Sequence, residues 1–113
     1  MSFFASLFGS TTSKNTVIKV LTPEEFKSKI EHRNVQLVDV RTPAEYKSGH
    51  LKGAINIDFF SGKFKMSFNN FNKQKAIYVY CRSGSRSRQA AKRLEALGFD
   101  EIYDLKGGIL KYR

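Results

Sequence analysis

Residues 76–91 read Ala76-Ile77-Tyr78-Val79-Tyr80-Cys81-Arg82-Ser83-Gly84-Ser85-Arg86-Ser87-Arg88-Gln89-Ala90-Ala91, and this stretch decides the fold. Its first five residues are apolar, aromatic or β-branched, which is the composition of a buried strand. From Ala90 onward, alanine and leucine recur at helical spacing, so a helix follows. The polar loop between them leaves amide groups at the helix start without partners. Those amides and the helix dipole favour a bound anion.

Cys81 opens this loop, and its neighbours indicate a reactive thiol. Near a helix start, and close to Arg82 and Arg86, the sulfur is expected to favour the thiolate, which is the nucleophilic form. The alternative is a structural cysteine, since free cysteines are often buried. A loop that serves packing alone has no need of two guanidinium groups. The sequence therefore predicts a reactive cysteine in an anion-binding loop.

Length and composition indicate one folded domain. A chain of 113 residues is long enough for one core and too short for two. Its single cysteine excludes an intramolecular disulfide, and no apolar run has the length needed to cross a bilayer. Residues 1–16 are expected to form a tail or flap, and residues 17–113 the domain. No export signal is recognised, so a cytoplasmic protein without a membrane partner is expected.

The formal net charge of +10 is concentrated in the second half of the chain. Residues 1–61 carry 8 Lys and Arg against 6 Asp and Glu, whereas residues 62–113 carry 12 against 4. The second half contains the cysteine loop, so its field would attract small anions or an acidic protein surface. Nucleic acid is the competing partner for a basic domain. Because neither zinc-finger spacing nor an RNA-recognition signature is present, no nucleic-acid partner is expected. No Cys/His cluster predicts a metal.

Strands and helices are predicted to alternate along the chain. Thr22-Pro23 and Thr42-Pro43 each supply an N-cap followed by proline at the first helical position, and Gly98 ends the helix after the cysteine loop. Residues 59–71 are rich in phenylalanine with weak helical spacing, and a short helix is expected near the C-terminus. Short strands are predicted at residues 17–21, 35–40, 54–57, 76–80 and 102–105. This order predicts an α/β domain with a mostly parallel sheet of about five strands and helices on both faces. Cys81 then lies at the carboxyl ends of the strands, where ligands bind.

Three groups of motifs follow one another along the chain. The first consists of Val38-Asp39-Val40-Arg41, Glu45-Tyr46, Gly49-His50-Leu51, Gly53-Ala54 and Asn56-Ile57. The second is the loop Cys81-Arg82-Ser83-Gly84-Ser85-Arg86-Ser87, and the third is Leu105-Lys106-Gly107-Gly108. In this order they resemble the N-terminal signature, the active-site loop and the closing segment of the rhodanese family. The resemblance covers about residues 17–112, and Tyr112 stands where many members carry tryptophan.

The resemblance implies a sulfurtransferase of the thiosulfate type. Sulfane sulfur would pass from thiosulfate or a persulfide donor to cyanide or a thiol through a persulfide on Cys81. Main-chain amides of residues 82–87 would stabilise the charge of that persulfide. No cofactor is implied. The expected partners are a small anionic donor, a thiol or cyanide acceptor and, through the basic half, an acidic sulfur-relay protein.

Individual roles follow for the site residues. Gly84 allows a tight turn, Arg82 meets the donor at the rim, and Arg86 holds the loop or the anion. Near the loop, Arg41 is expected to pair with Glu45 at helical spacing rather than to contact the substrate. Ser85 and Ser87 are candidate hydroxyl donors or helix caps. Asp39 is a supporting residue at the same edge of the sheet, and His50 a structural hydrogen-bonding residue.

Two other functions remain open. A phosphatase or arsenate reductase of the related Cys-loop type carries one residue more between its cysteine and arginine than the four found here. The shorter loop suits a single sulfur atom better than a tetrahedral oxyanion. A non-catalytic binding module on the same fold is the second alternative, because a fold does not determine function. Such a module would be expected to have lost the cysteine.

Overall fold

Five parallel strands form the central sheet in a computed structural model, which describes residues 15–112. The strands are β1 (Val17–Leu21), β2 (Gln36–Asp39), β3 (Ile55–Asn56), β4 (Ile77–Tyr80) and β5 (Glu101–Leu105). Their order across the sheet is β1-β5-β4-β2-β3, and every neighbouring pair is parallel. The carboxyl ends therefore share one edge, and β4, which leads into Cys81, is the central strand.

Three helices join the strands: α1 (Pro23–Ile30), α2 (Pro43–Lys47) and α3 (Ser85–Ala96). The first two begin in the same way. The Thr22 and Thr42 side chains accept hydrogen bonds from the third helical residue, and the Glu25 and Glu45 side chains accept from the cap amides in return. The predicted starts of α1 and α2 are confirmed, because this capping needs only residues that are adjacent in sequence.

The sheet separates two apolar layers. The layer on the α3 side includes Phe68, Ala90 and Phe99, and the layer on the α1 side includes Phe26 and Tyr80. All four residues of β4 are buried, as a continuous apolar strand covered on both faces must be. The predicted parallel sheet with helices on both faces is confirmed.

The structure adds detail to the sequence-based predictions in three segments. The strand predicted at residues 54–57 is shorter, because β3 is an edge strand that pairs only with β2. Residues 59–71, whose helical spacing in the sequence is weak, form turns with a short 3₁₀ helix at Met66–Phe68. Their aromatic rings pack into the core from successive turns, which imitates helical spacing in the sequence. The predicted C-terminal helix is likewise a 3₁₀ helix, at Ile109–Lys111.

The predicted N-terminal tail or flap, residues 1–16, lies outside the described residues except for its last two positions. Its packing therefore stays a prediction. Across residues 15–112, no helix combines the length and apolar character that a membrane span requires.

In the segment after β3, a series of phenylalanine rings in contact with one another runs from the protein surface into the core. Ring centroids are 5.4 Å apart for Phe59 and Phe60, 5.8 Å for Phe59 and Phe64, and 5.0 Å for Phe64 and Phe68. The rings meet close to edge-on, a favourable arrangement for aromatic pairs. Phe68 is 1% exposed at the inner end, whereas Phe60 is 67% exposed at the outer end.

Because the two rings differ in exposure, replacing each with alanine should lower the free energy of unfolding by different amounts. Phe68→Ala should lower the free energy of unfolding by about 3 to 5 kcal/mol, because it leaves a cavity among packed rings. Phe60→Ala should cost less than about 1 kcal/mol, because water already covers most of its ring. Urea denaturation of both variants provides the measurement. Equal losses would contradict the inward course of the aromatic segment.

Candidate active site

Cys81 follows β4 directly at the carboxyl edge of the sheet. Its side chain is 1% exposed and borders the apolar layer on the α3 side. The sulfur accepts a hydrogen bond from the Gly84 amide, with 3.0 Å between N and Sγ. The thiol therefore lies at the base of the loop, in contact with the loop's main chain.

The loop that follows this sulfur supplies further main-chain donors. Gly84 is the N-cap of α3 and has a left-handed conformation with φ of 108°, which suits glycine. Amides in the first helical turn have no partner within the helix, and the helix dipole adds positive potential there. Five other loop amides have no hydrogen-bond acceptor within residues 15–112, namely those of Arg82, Ser83, Ser85, Arg86 and Ser87.

The segment after β5 holds the start of the loop. The Ile109 amide donates to the carbonyl of Cys81 at 2.9 Å, and the Leu110 amide donates to the carbonyl of Arg82 at 3.2 Å. Gly108 lies so close that a Cβ on it would overlap the Arg82 carbonyl and approach the Ser83 nitrogen to 2.6 Å. Only glycine permits this contact, which gives the Gly107-Gly108 pair its structural role.

Arg86 is fixed by a two-pronged ion pair with Glu45. The Nη1–Oε1 distance is 2.8 Å and the Nη2–Oε2 distance is 3.1 Å. Hydrogen bonding to the guanidinium lowers the pKa of Glu45 from 4.5 to about 2, and the same pair raises the pKa of Arg86. Arg86 also interacts electrostatically with Cys81. Its charge is thus held in place by α2, at the start of the helix that follows the cysteine loop.

The predicted pairing of Arg41 with Glu45 is wrong. Arg41 pairs instead with Asp39, with 2.7 Å between Nη2 and Oδ2, and it also donates to the carbonyl of Gly49. Hydrogen bonding to Asp39 raises the pKa of Arg41. The Glu45 carboxylate is engaged elsewhere, by the α2 cap and by Arg86. Within residues 15–112, the buried Asp39–Arg41 pair forms no hydrogen bond with residues 82–87, so it braces the neighbouring loop.

The predicted cap roles of Ser85 and Ser87 are also wrong, because Gly84 is the N-cap and no side chain caps α3. Ser87 is buried, and its hydroxyl donates to Oδ1 of Asp104 at 2.5 Å. That proton is not free for a bound sulfur. Burial raises the pKa of Asp104, and Arg88 lies near its other oxygen, with 3.5 Å between Nε and Oδ2. Ser87 therefore anchors the first turn of α3 to β5.

The structure also describes the surroundings of the other predicted site residues. Arg82 and Ser83 are exposed at the outer side of the loop. His50 binds the Tyr46 carbonyl through Nδ1 at 2.8 Å and stacks on the Tyr46 ring, which matches a structural histidine. Among residues 15–112, no group of three or more His, Cys, Asp and Glu side chains could hold a metal ion.

Three residues make contacts at the site that the sequence alone did not predict. Asp104 is a charged residue within an apolar strand, which is a signal of a buried polar contact. Glu45 was matched as part of a motif, yet its partner Arg86 lies 41 positions away in sequence. The exposed ring of Phe60 lies 5.9 Å from the Arg86 guanidinium, and nothing in the local pattern marks it.

A cleft of about 510 Å³ lies apart from this site, and its lining includes Ile30, Arg33, Lys52 and Tyr112. Cys81 is not among the lining residues. The candidate site is therefore the loop with its main-chain donors, and not this cleft.

Comparison with known proteins identifies similar chains. The family model for the rhodanese-like domain matches residues 22–113. The uncharacterized protein YqhL of Bacillus subtilis (strain 168) is 38% identical over 111 residues, which cover 98% of this chain and 85% of that protein.

A crystal structure of a rhodanese-like domain protein from Staphylococcus aureus has a TM-score of 0.73 and 34% identity, covering 84% of this chain and 91% of that one. The tRNA uridine(34) hydroxylase of Pelagibacter ubique is 35% identical over 104 residues, covering 91% of this chain. This chain spans about a third of the length of that hydroxylase, since the match covers 35% of it.

The close approach of Gly108 predicts that Gly108→Ala distorts the cysteine loop. The matched control is Gly53→Ala, because Gly53 also has a positive φ (84° against 67°) but nothing lies near its missing Cβ. Both variants share the backbone strain, so only Gly108→Ala adds the overlap. In Gly108→Ala, the Cys81 thiol should react with a thiol reagent at a clearly different rate from wild type, whereas in Gly53→Ala its rate should be unchanged. Identical rates in all three proteins would contradict a loop shaped by Gly108.

The low pKa of Glu45 predicts a pH-dependent contribution to stability. A carboxylate whose pKa falls from 4.5 to about 2 on folding stabilises the fold above pH 4.5, and this contribution is lost as the pH falls towards 2. Glu45→Gln should therefore cost about 1 to 2 kcal/mol at pH 7 for this partly exposed pair, and much less near pH 2. The control is Glu25→Gln, the equivalent position of α1. A difference in the free energy of unfolding between Glu45→Gln and wild type that did not change with pH would contradict a stabilising Glu45–Arg86 ion pair.

Proposed function

Because the chain belongs to the rhodanese-like domain family, we propose that it is a sulfurtransferase that carries sulfane sulfur on Cys81. The observation that supports this most strongly is the contact between the Cys81 sulfur and the amide of Gly84, beside five further amides without acceptors in residues 15–112. Such donors stabilise negative charge on sulfur. We further propose that thiosulfate or a persulfide is the donor and that cyanide or a thiol is the acceptor.

The first step forms the persulfide. The Cys81 thiolate attacks the outer sulfur of thiosulfate, and a new bond forms between the two sulfurs. The bond from that sulfur to the sulfonate group breaks, and its electron pair leaves with sulfite. The transferred sulfur remains on Cys81 with a negative charge, and hydrogen bonds from the main-chain amides of the loop stabilise that charge.

The second step returns the enzyme to its starting state. Cyanide attacks the outer sulfur, the bond to Cys81 breaks, and thiocyanate leaves while Cys81 recovers its electron pair as thiolate. A covalent intermediate of this kind gives ping-pong kinetics. Arg86, held by Glu45, supplies a fixed positive charge throughout. Arg82 is exposed, and its charge attracts the anionic donor.

Loop length argues against the phosphatase or arsenate reductase alternative. Four residues separate Cys81 from Arg86, and a shorter ring of amides suits one sulfur atom. The presence of the cysteine argues against a non-catalytic module. The tRNA uridine(34) hydroxylases contain much sequence beyond the matched part, so we do not extend the activity in their name to this chain.

Mass spectrometry and a turnover assay test the proposal. Thiosulfate treatment should add one sulfur atom to the intact protein, and thiocyanate should form from thiosulfate and cyanide. Cys81→Ser should gain no sulfur and should lose at least about 1,000-fold in turnover, because a hydroxyl cannot carry sulfane sulfur. Ser83→Ala is the control in the same loop and should keep the ability to take up sulfur.

Turnover of p-nitrophenyl phosphate without any sulfur uptake would contradict the proposal and favour the phosphatase alternative. Full thiocyanate formation by Cys81→Ser would remove Cys81 from the mechanism.

A further inference from the structure

Residues 59–94 contain nine Lys and Arg and no Asp or Glu. This acid-free stretch includes the aromatic segment after β3, the central strand β4, the cysteine loop and most of α3. The positive charge of this stretch is therefore not balanced by acids within it, and Arg82 and Arg86 belong to the cysteine loop itself. A cationic field at the mouth of a site concentrates anionic partners there.

Internal ion pairs neutralise only part of this charge. Arg86 pairs with Glu45 and Arg88 with Asp104, both carboxylates from outside the stretch. Arg93 covers the ring of Phe59, with 4.1 Å from Cζ to the ring centroid. Besides Arg93, five exposed cations of this stretch have no carboxylate partner within residues 15–112, namely Lys63, Lys65, Lys75, Arg82 and Lys92.

An exposed aromatic ring accompanies these cations. Phe60 is the one aromatic side chain among residues 15–112 that is mostly exposed, and it lies beside Arg86 of the cysteine loop. Its position is fixed, because its amide donates to Asp58 Oδ1 at 3.0 Å and its ring meets Phe59 edge-on. A fixed, exposed aromatic ring next to a reactive group is a typical anchor point of a protein interface.

We propose that Phe60, Lys63, Lys65 and Arg82 form a docking surface for an acidic protein segment that presents the acceptor thiol to Cys81. This inference rests on the sulfurtransferase proposal and names the class of its acceptor. Phe60 supplies the apolar anchor, and the three cations select acidic flanking residues by charge complementarity.

The depth of the sulfur favours a protein thiol over a nucleobase. Cys81 is 1% exposed at the base of the loop, so the acceptor atom must enter a narrow opening. A cysteine side chain ends in a single sulfur atom, whereas a nucleobase is a flat ring system. Surfaces that bind single-stranded nucleic acid stack successive bases on several aromatic residues, and the described residues expose only Phe60 in this way.

The transfer itself balances without an additional reactant. The acceptor thiol attacks the outer sulfur of the Cys81 persulfide, and its proton passes to that sulfur. A bond forms between the acceptor sulfur and the outer sulfur. The bond from the outer sulfur to Cys81 breaks, and its electron pair returns to Cys81 as thiolate. The acceptor leaves as a persulfide.

Two synthetic peptides test the preference for acidic acceptors. Each contains one cysteine, flanked by glutamates in the first and by lysines in the second, and dithiothreitol serves as the small acceptor. The sulfur-loaded protein should transfer to the acidic peptide with a kcat/KM at least about tenfold higher than to the basic peptide at low salt. Added salt should reduce this ratio, because it screens exposed charges.

Substitutions test the surface. Phe60→Ala and the double change Lys63→Glu with Lys65→Glu should each lower kcat/KM for the acidic peptide by about tenfold. Transfer to dithiothreitol should not change. The matched controls lie at the opposite edge of the sheet: Ile18→Ala removes an apolar side chain that is 38% exposed, and Lys19→Glu with Lys29→Glu makes the same change in charge.

The outcomes separate this inference from the proposed function. Equal transfer to both peptides would overturn the docking surface, and so would equal effects of the surface and control variants. If sulfur still passed to dithiothreitol in that case, the sulfurtransferase proposal would stand. A single-stranded oligoribonucleotide that displaced the acidic peptide in a manner dependent on Phe60 would assign the surface to nucleic acid and also overturn it. Failure to form any persulfide would overturn both.

Discussion

The hydrogen bond from the Gly84 amide to the Cys81 sulfur is the contact on which the arrangement of the site depends. It requires the chain to turn from the central strand into α3 within a few residues, so that the first amides of the helix surround the end of the strand. Gly84 permits the turn through its left-handed conformation. Gly108 then allows the chain after β5 to approach the same loop closely and to donate hydrogen bonds to its carbonyl groups. Amide donors are thereby left for the sulfur.

Two ion pairs fix the helix that begins at this loop. Glu45 holds Arg86 from α2, and Asp104 accepts from Ser87 and lies near Arg88 from β5. Both carboxylates belong to elements outside the basic stretch, so the first turn of α3 is tied to its neighbours on two sides. The rest of the basic charge stays on the surface. The molecule thus combines a firmly tied first turn of α3 with exposed cations and the exposed ring of Phe60.

The sequence was sufficient for the features that depend on neighbouring residues. The starts of α1 and α2 follow from Thr-Pro-X-Glu capping, and the buried strand β4 follows from its uninterrupted apolar composition. Pairings between distant residues could not be predicted in this way. Arg41 lies at helical spacing from Glu45 but binds Asp39, because Arg86 arrives from α3 to occupy the Glu45 carboxylate. Ser87 has the composition of a cap but is buried against Asp104.

Nuclear magnetic resonance of the backbone amides tests the central claim most directly. In ¹⁵N-labelled protein, conversion of Cys81 to the persulfide with thiosulfate should move the amide proton signals of residues 82–87 downfield, because these donors then face a charged sulfur. Cyanide should reverse the shifts as it removes that sulfur. Signals of residues 82–87 that stayed in place after mass spectrometry had shown the added sulfur would contradict the account.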